Sequence, residues 1–406
     1  MIISAQKNIT TLLLSVLIAL STFSGIFRLP STIYVVVVFL FFLCYIVLNK
    51  LKIKVGYYEL PLFVLICLFS ILYNKPAYYF RVWERLALFL LVLFSFSPII
   101  TSSILDKKRF QLFETLLWVM MAYAFSSFFA YFLGINYFVR DGEMLDMSDA
   151  GHFSGFTNHS MMLAPISAMS SLYAFSNMLN YIGTKKKMLR WLGVFFVCFG
   201  SLLLSASRGA VGSAVFGIMI IMYRYSSGHI FKAAKYLIFV VAIAAATFPL
   251  WGSLSSAVIE KNDYNESQGG VMYSRESKMA ARIYEIENNF LTGVGFATVD
   301  ETVDGVDRAK GTIEPNSSWL GVFSMTGFFG FLLFLFVNIR AIRDAYKRIN
   351  NRILSSLMCG LLSFFFIHMV IEGYVLAGGS ILCGLYWLTI STTYALANEK
   401  SKVVTK

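Results

Sequence analysis

The chain has 406 residues, 58% of them hydrophobic and only 14% charged, with a mean hydropathy of +0.69. A soluble protein of this length needs far more polar surface, so the balance excludes a soluble globular domain. The net charge of +12 does not signal nucleic acid, because its placement along the chain accounts for it.

Apolar windows long enough to cross a hydrocarbon core of about 30 Å recur throughout. In chain order, hydropathy predicts spans over 9–27, 32–49, 57–73, 82–100, 111–134, 159–181, 189–206, 209–224, 234–252, 317–339, 353–371 and 375–396. The expected fold is an all-α integral membrane protein of about twelve transmembrane helices. Residues 1–252 carry the first nine helices, with an outer loop at 135–158. Residues 253–316 form a larger outer loop, and 317–406 carry the last three helices and a tail. The first span lacks a small-x-small cleavage site and reads as an uncleaved anchor. Cys44, Cys67, Cys198, Cys359 and Cys383 all fall in apolar stretches, without redox or zinc spacing, and read as small buried hydrophobes.

Charge placement orients the spans. With the N-terminus inside, every inside connector is basic: Lys50, Lys52 and Lys54; Lys107, Lys108 and Arg109; Lys185 to Lys187 and Arg190; Arg224, Lys232 and Lys235; Arg340, Arg343, Lys347, Arg348 and Arg352. Most of the 34 basic residues then lie inside, as the positive-inside rule requires. Both termini are expected on the cytoplasmic side, and both long loops face outward. Loop 135–158 is mostly acidic (Asp141, Glu143, Asp146, Asp149).

The polar material able to do chemistry therefore gathers at the outer face. Ser205-Ala206-Ser207-Arg208-Gly209-Ala210 places an arginine between two apolar stretches, where it either ends a span among headgroups or lines a hydrated cavity. In the larger loop, Ser274 to Phe290 predicts a helix. Met279, Ile283, Ile286 and Phe290 make one apolar stripe. Arg275, Lys278 and Arg282 make a second, basic stripe, suited to phosphate oxygens through the planar guanidinium fork. Such a helix can lie on the membrane with its basic face solvated or holding a phosphate. Leu291-Thr292-Gly293-Val294-Gly295-Phe296 ends it with glycines.

Glu314-Pro315-Asn316-Ser317-Ser318-Trp319 precedes a span. Asn316 is a candidate cap, Trp319 suits the interfacial belt, and Glu314 or Asn316 can face a substrate. His152 and His159 flank Phe153-Ser154-Gly155-Phe156-Thr157-Asn158, and His159 is a candidate general base. His368 and Glu372 lie one helical turn apart and can pair. No metal site is expected: His and Cys are not clustered, and Asp300, Asp304 and Asp307 lack a calcium-loop pattern.

The order of these motifs resembles the O-antigen ligase and O-antigen/capsule polymerase superfamily of bacterial surface-polysaccharide assembly. The matching segments are Ser207-Arg208-Gly209, Ser274-Arg275, Gly293-Val294-Gly295-Phe296, and Glu314 through Gly330, within residues 150–385. The resemblance implies a metal-independent, inverting glycosyltransferase of the GT-C class in the inner membrane, working at its periplasmic face. It implies a glycan donor on undecaprenyl pyrophosphate and a glycan acceptor, no cofactor beyond that carrier, membrane lipids as surroundings, and a chain-length regulator as a possible partner. By the same resemblance Arg208 and Arg275, assisted by Arg282, hold the pyrophosphate. Glu314, His159, Asn316 and Glu372 are the catalytic candidates. Ligases carry a histidine–asparagine pair before the last outer helix. Here Asn316 or Pro315 stands at the histidine's place, and neither is a base, which favours a polymerase over a ligase. A repeat-unit flippase is the alternative of another class, disfavoured because charges gather at outer ends rather than at mid-membrane.

Overall fold

A computed structural model describes residues 9–47, 53–137, 139–140, 143–144, 153–227, 229, 273–300, 311, 313 and 316–399. The expected ninth span, 234–252, lies outside them, as do His152, Glu314 and Pro315. The described chain is almost wholly helical. The helices are α1 (Ile9–Thr22), α2 (Thr32–Phe42, continued by a π-turn Leu43–Val47), α3 (Glu59–Asn74), α4 (Val82–Phe96), α5 (Ser103–Phe132) and α6 (Ser160–Asn180). There follow α7 (Lys185–Leu204), α8 (Arg208–Tyr225), α9 (Tyr273–Asn288), α10 (Ser318–Lys347), α11 (Arg352–Ile371) and α12 (Ile381–Asn398). Two short antiparallel ladders, Lys54–Val55 with Ile100–Thr101 and Val139–Arg140 with Glu143–Met144, sit at connectors.

Helices α5, α7, α10 and α11 are long and apolar enough to cross a membrane, and α1, α2 and α3 are shorter apolar helices. Leu13, Phe39, Leu65, Phe69, Phe125, Phe132 and Phe329 lie exposed on the outside of the bundle. An exterior this apolar is a lipid-facing surface. The chain is an all-α, multi-pass membrane protein.

The crossing of α8 and α11 fixes the position of the site. The two helices run antiparallel, and glycines let them approach. A Cβ on Gly217 would stand 3.0 Å from Gly360 O, and one on Gly360 would stand 2.4 Å from Ile221 Cγ1. At one end, Arg224 Nε donates to Ser355 Oγ at 2.8 Å. At the other, a Cβ on Gly209 would lie 3.0 Å from Ile371 Cδ1. Small residues at such a crossing gain dispersion contacts that larger side chains would prevent. Their register brings the start of α8, with Arg208, against the end of α11.

Three sequence expectations change. The basic cluster at 107–109 is not uniformly a surface charge. Arg109 is fully buried, and its guanidinium donates to Ser95 O (2.7 Å), Ile100 O (2.8 Å) and Phe94 O (2.7 Å). It satisfies the Phe94 and Ser95 carbonyls that the end of α4 leaves without intrahelical partners, and ties them to Ile100 in the ladder that follows. The expected span 317–339 is longer and is broken. Within α10, Gly327 has φ 67° and ψ −172°, a conformation essentially restricted to glycine. The cap of α10 is Ser317, whose hydroxyl accepts from Leu320 N at 3.3 Å, and not Asn316, which has φ 52°.

Candidate active site

The break in α10 exposes backbone groups that hydrocarbon cannot satisfy, and the glycine-rich loop after α9 satisfies them. Val294 N donates to Ser324 O (2.8 Å), Gly295 N to Met325 O (3.2 Å), and Phe328 N to Phe290 O (2.8 Å). Gly293, with φ 67°, permits this approach: a Cβ there would lie 2.6 Å from Met325 C. Gly293-Val294-Gly295-Phe296 therefore clamps α9 onto α10, and α9 carries Arg275.

Of the basic stripe of α9, Lys278 is exposed and Arg275 half-buried, but Arg282 goes inside, against the expectation that it reaches outward. Arg282 and Glu285 are 2% and 1% exposed, whereas Ile283, Tyr284 and Phe290 are exposed. Burial is possible because the two charges neutralise each other one turn apart. Arg282 Nη1 donates to Glu285 Oε2 at 2.7 Å, and also to Ser324 Oγ and Thr298 O. Glu285 Oε1 in turn accepts from Asp300 N at 2.7 Å. Burial lowers the proton affinity of the Arg282 guanidinium, and Glu285 opposes that shift. Arg282 thus joins α9 to the break in α10 rather than reaching outward, while its Nη2 has no hydrogen-bond partner among the described residues.

Arg275 lies at the other end of the same helix face. Its Nη2 donates to Glu372 Oε1 at 2.5 Å, and its Nη1 donates to Ile371 O. Both residues of the pair remain partly accessible, at 24% and 18%. Ile371 is the residue whose side chain meets Gly209. The entry of α10 is fixed to the same point. Ser318 N and Oγ donate to Glu372 O at 3.1 and 2.7 Å, Ser317 Oγ donates to Met369 O at 3.2 Å, and Tyr374 N donates to Ser318 Oγ at 3.1 Å. Asn316 stands next to this knot, and its buried Nδ2 has no partner among the described residues. No sequence signal marks Ser318 or Tyr374. Their contacts join positions 54 and 56 residues apart in the chain.

The structure thus brings Arg275, Glu372, Asn316 and the helix start bearing Arg208 to one rim. It does not bring His159 into that knot. His159 caps α6, its Nδ1 accepting from Met161 N at 3.0 Å. An acceptor Nδ1 leaves the proton on Nε2, so taking up a second proton would break the cap. His368 does not pair with Glu372; its Nδ1 lies 3.3 Å from the Tyr374 hydroxyl, and its ring stacks on Phe364. Burial raises the Tyr374 phenol pKa well above its ordinary value, so it stays protonated.

A guanidinium held against a carboxylate at a partly open rim is arranged for exchange of one anion for another. A guanidinium and an amide there, beside the helix start that bears Arg208, suit a phosphate group. Residues 193–335 match the family described as O-Antigen ligase, a segment that contains Arg208, Arg275, Arg282, the glycine clamp and the break in α10. No curated protein matches the chain. The match supports an enzyme of the ligase/polymerase type that transfers glycans, and nothing in it supports a transporter. Residues 193–335 of this multi-pass membrane protein are thus similar to the O-antigen ligase family.

Proposed function

We propose that the chain is a metal-independent, inverting glycosyltransferase that polymerises undecaprenyl-pyrophosphate-linked repeat units of a surface polysaccharide. It would work at the periplasmic face of the inner membrane, in a twelve-span topology with both termini cytoplasmic. The observation that carries this reading is the Arg275–Glu372 pair at the rim where the Arg208-bearing helix begins. The resting carboxylate occupies the place of the donor's diphosphate. When the diphosphate arrives it takes over Arg275, with Arg208 beside it, and Glu372 is released.

The released carboxylate is the base this reading prefers, with Glu314 as the second candidate. It removes the proton of an acceptor hydroxyl, whose oxygen bonds to the anomeric carbon from the face opposite the leaving group. The bond from that carbon to the phosphate oxygen breaks, and its electron pair leaves with the diphosphate. Negative charge on the diphosphate grows in the transition state, so preplaced guanidinium groups act there more than in the ground state. Asn316 orients the acceptor, and Arg282 keeps α9 in register.

The second reading is a ligase that moves the glycan to lipid A-core, and the family match is compatible with either. Asn316 at the position where ligases carry histidine favours the polymerase. A deletion strain examined by glycan electrophoresis separates them. Single repeats capping the core indicate a polymerase, and carrier-linked polymer beside bare core indicates a ligase. A wild-type ladder in the deletion strain refutes both.

A further inference from the structure

A second polar recess lies at the same end of the bundle, away from the arginine rim. A cavity of about 550 Å³ opens between the α1–α2 turn, the start of α6 and the start of α12, and Ser21, Thr22, Arg28, Ser31, Tyr34 and Ser380 contribute to its wall. That volume is in the range of small-molecule sites. Its walls are tied together. Asn158 Nδ2 donates to Thr22 O at 3.1 Å, and Gly25 N donates to Phe156 O at 2.9 Å, which fixes the α1–α2 turn to the segment leading into α6. Ser380 begins α12 in the connector that starts at Glu372, so cavity and rim share one loop.

The donors and acceptors around the cavity match a sugar. Ser21 and Thr22 donate their hydroxyl protons to Leu17 O (2.7 Å) and Ile18 O (2.6 Å), which leaves oxygen lone pairs for a ligand. Ser380 Oγ accepts from Leu382 N at 3.3 Å, which leaves its proton to donate. Tyr34 contributes its ring to the wall, while its hydroxyl is sealed from the cavity towards Gly384. Arg28 is exposed at the turn and makes no ion pair among the described residues. Its planar fork fits a carboxylate. A wall that mixes acceptors with donors and carries one guanidinium is suited to a pyranose bearing an acid group.

We infer that this cavity receives an acidic sugar of the acceptor oligosaccharide and so presents the attacking hydroxyl towards the Glu372 rim. The inference rests on the glycosyltransferase reading above.

The test uses full-length protein in lipid nanodiscs, carrier-linked repeat unit as donor, and carrier-free repeat oligosaccharide, prepared from the native polysaccharide, as acceptor. Arg28→Ala should raise the acceptor KM by about tenfold or more with the donor KM unchanged, the size expected for a lost charge-assisted hydrogen bond. Tyr34→Phe, which keeps the ring and removes a hydroxyl the cavity does not reach, should leave the acceptor KM unchanged. Reducing the acceptor's carboxylate to an alcohol should reproduce Arg28→Ala in the wild-type enzyme and add nothing in the variant. Wild-type transfer with an unchanged acceptor KM in Arg28→Ala overturns the inference and leaves the glycosyltransferase reading standing. So does a native repeat unit without acidic sugars. Absence of any transfer by the wild-type protein sinks that reading itself.

Discussion

Replacing Gly327 by alanine tests the clamp that holds α9, and hence Arg275, in place. Gly327 has φ 67° and ψ −172°, and holding a non-glycine residue in such a region costs roughly 1–3 kcal/mol. The added Cβ would stand 2.1 Å from Leu291 O and 2.4 Å from Leu291 C. These are backbone atoms, so the loop after α9 must withdraw. Withdrawal gives up the bonds from Val294 N, Gly295 N and Phe328 N, at roughly 0.5–1.5 kcal/mol each. The total, roughly 2.5–7.5 kcal/mol, is enough to release a local unit while the remaining helices stay packed. Gly212→Ala in α8 is the control, because a Cβ there meets nothing within 4 Å. Hydrogen exchange read by mass spectrometry should show lost protection over 290–296 in Gly327→Ala and none in Gly212→Ala, with polymer lost only in the former. Equal exchange and equal polymer in the two variants would refute the clamp.

Other outcomes follow from the same geometry. Arg282→Met leaves Glu285 charged and buried and should destabilise the protein by about 3–5 kcal/mol in a thermal unfolding series in detergent; Arg282→Met combined with Glu285→Leu should recover most of that, and simple additivity would deny the coupling. His159→Asn keeps a capping acceptor and should retain activity, while His159→Leu loses about 1 kcal/mol of stability; an inactive but folded His159→Asn would restore histidine as the base. Glu372→Gln should slow turnover by about 10²–10⁴-fold at normal membrane abundance, the usual range for loss of a general base. A larger loss in Glu314→Gln would move the base to Glu314.

Hydropathy made most helices legible, because a span of continuous apolar residues has few other ways to satisfy its backbone in lipid. The helix at 273–288 was equally legible from its 3.6-residue period. Its orientation was not. Periodicity shows that two stripes exist, and burial usually favours the apolar one. Here Glu285, one turn from Arg282, lets that one arginine of the stripe go inside, and Ser324 and Thr298 supply its remaining contacts from other parts of the chain. The break at Gly327 was hidden because glycine is common in membrane helices, and its partner loop is specified only in three dimensions. The arginines were recognisable from local motif and order. The pairing of Arg275 with Glu372 was not, since it joins residues 97 positions apart. The α1–α2 cavity left no signal at all: its wall comes from three separate stretches of chain, each with an ordinary local role as turn, cap or helix end.

The most direct test is binding of the carrier diphosphate to the two arginines. Purified wild-type protein in nanodiscs should bind undecaprenyl pyrophosphate, and Arg275→Ala and Arg208→Ala should each weaken binding by at least about tenfold while inserting normally. Wild-type affinity in both variants, with the surface polymer still made in cells, would contradict the account.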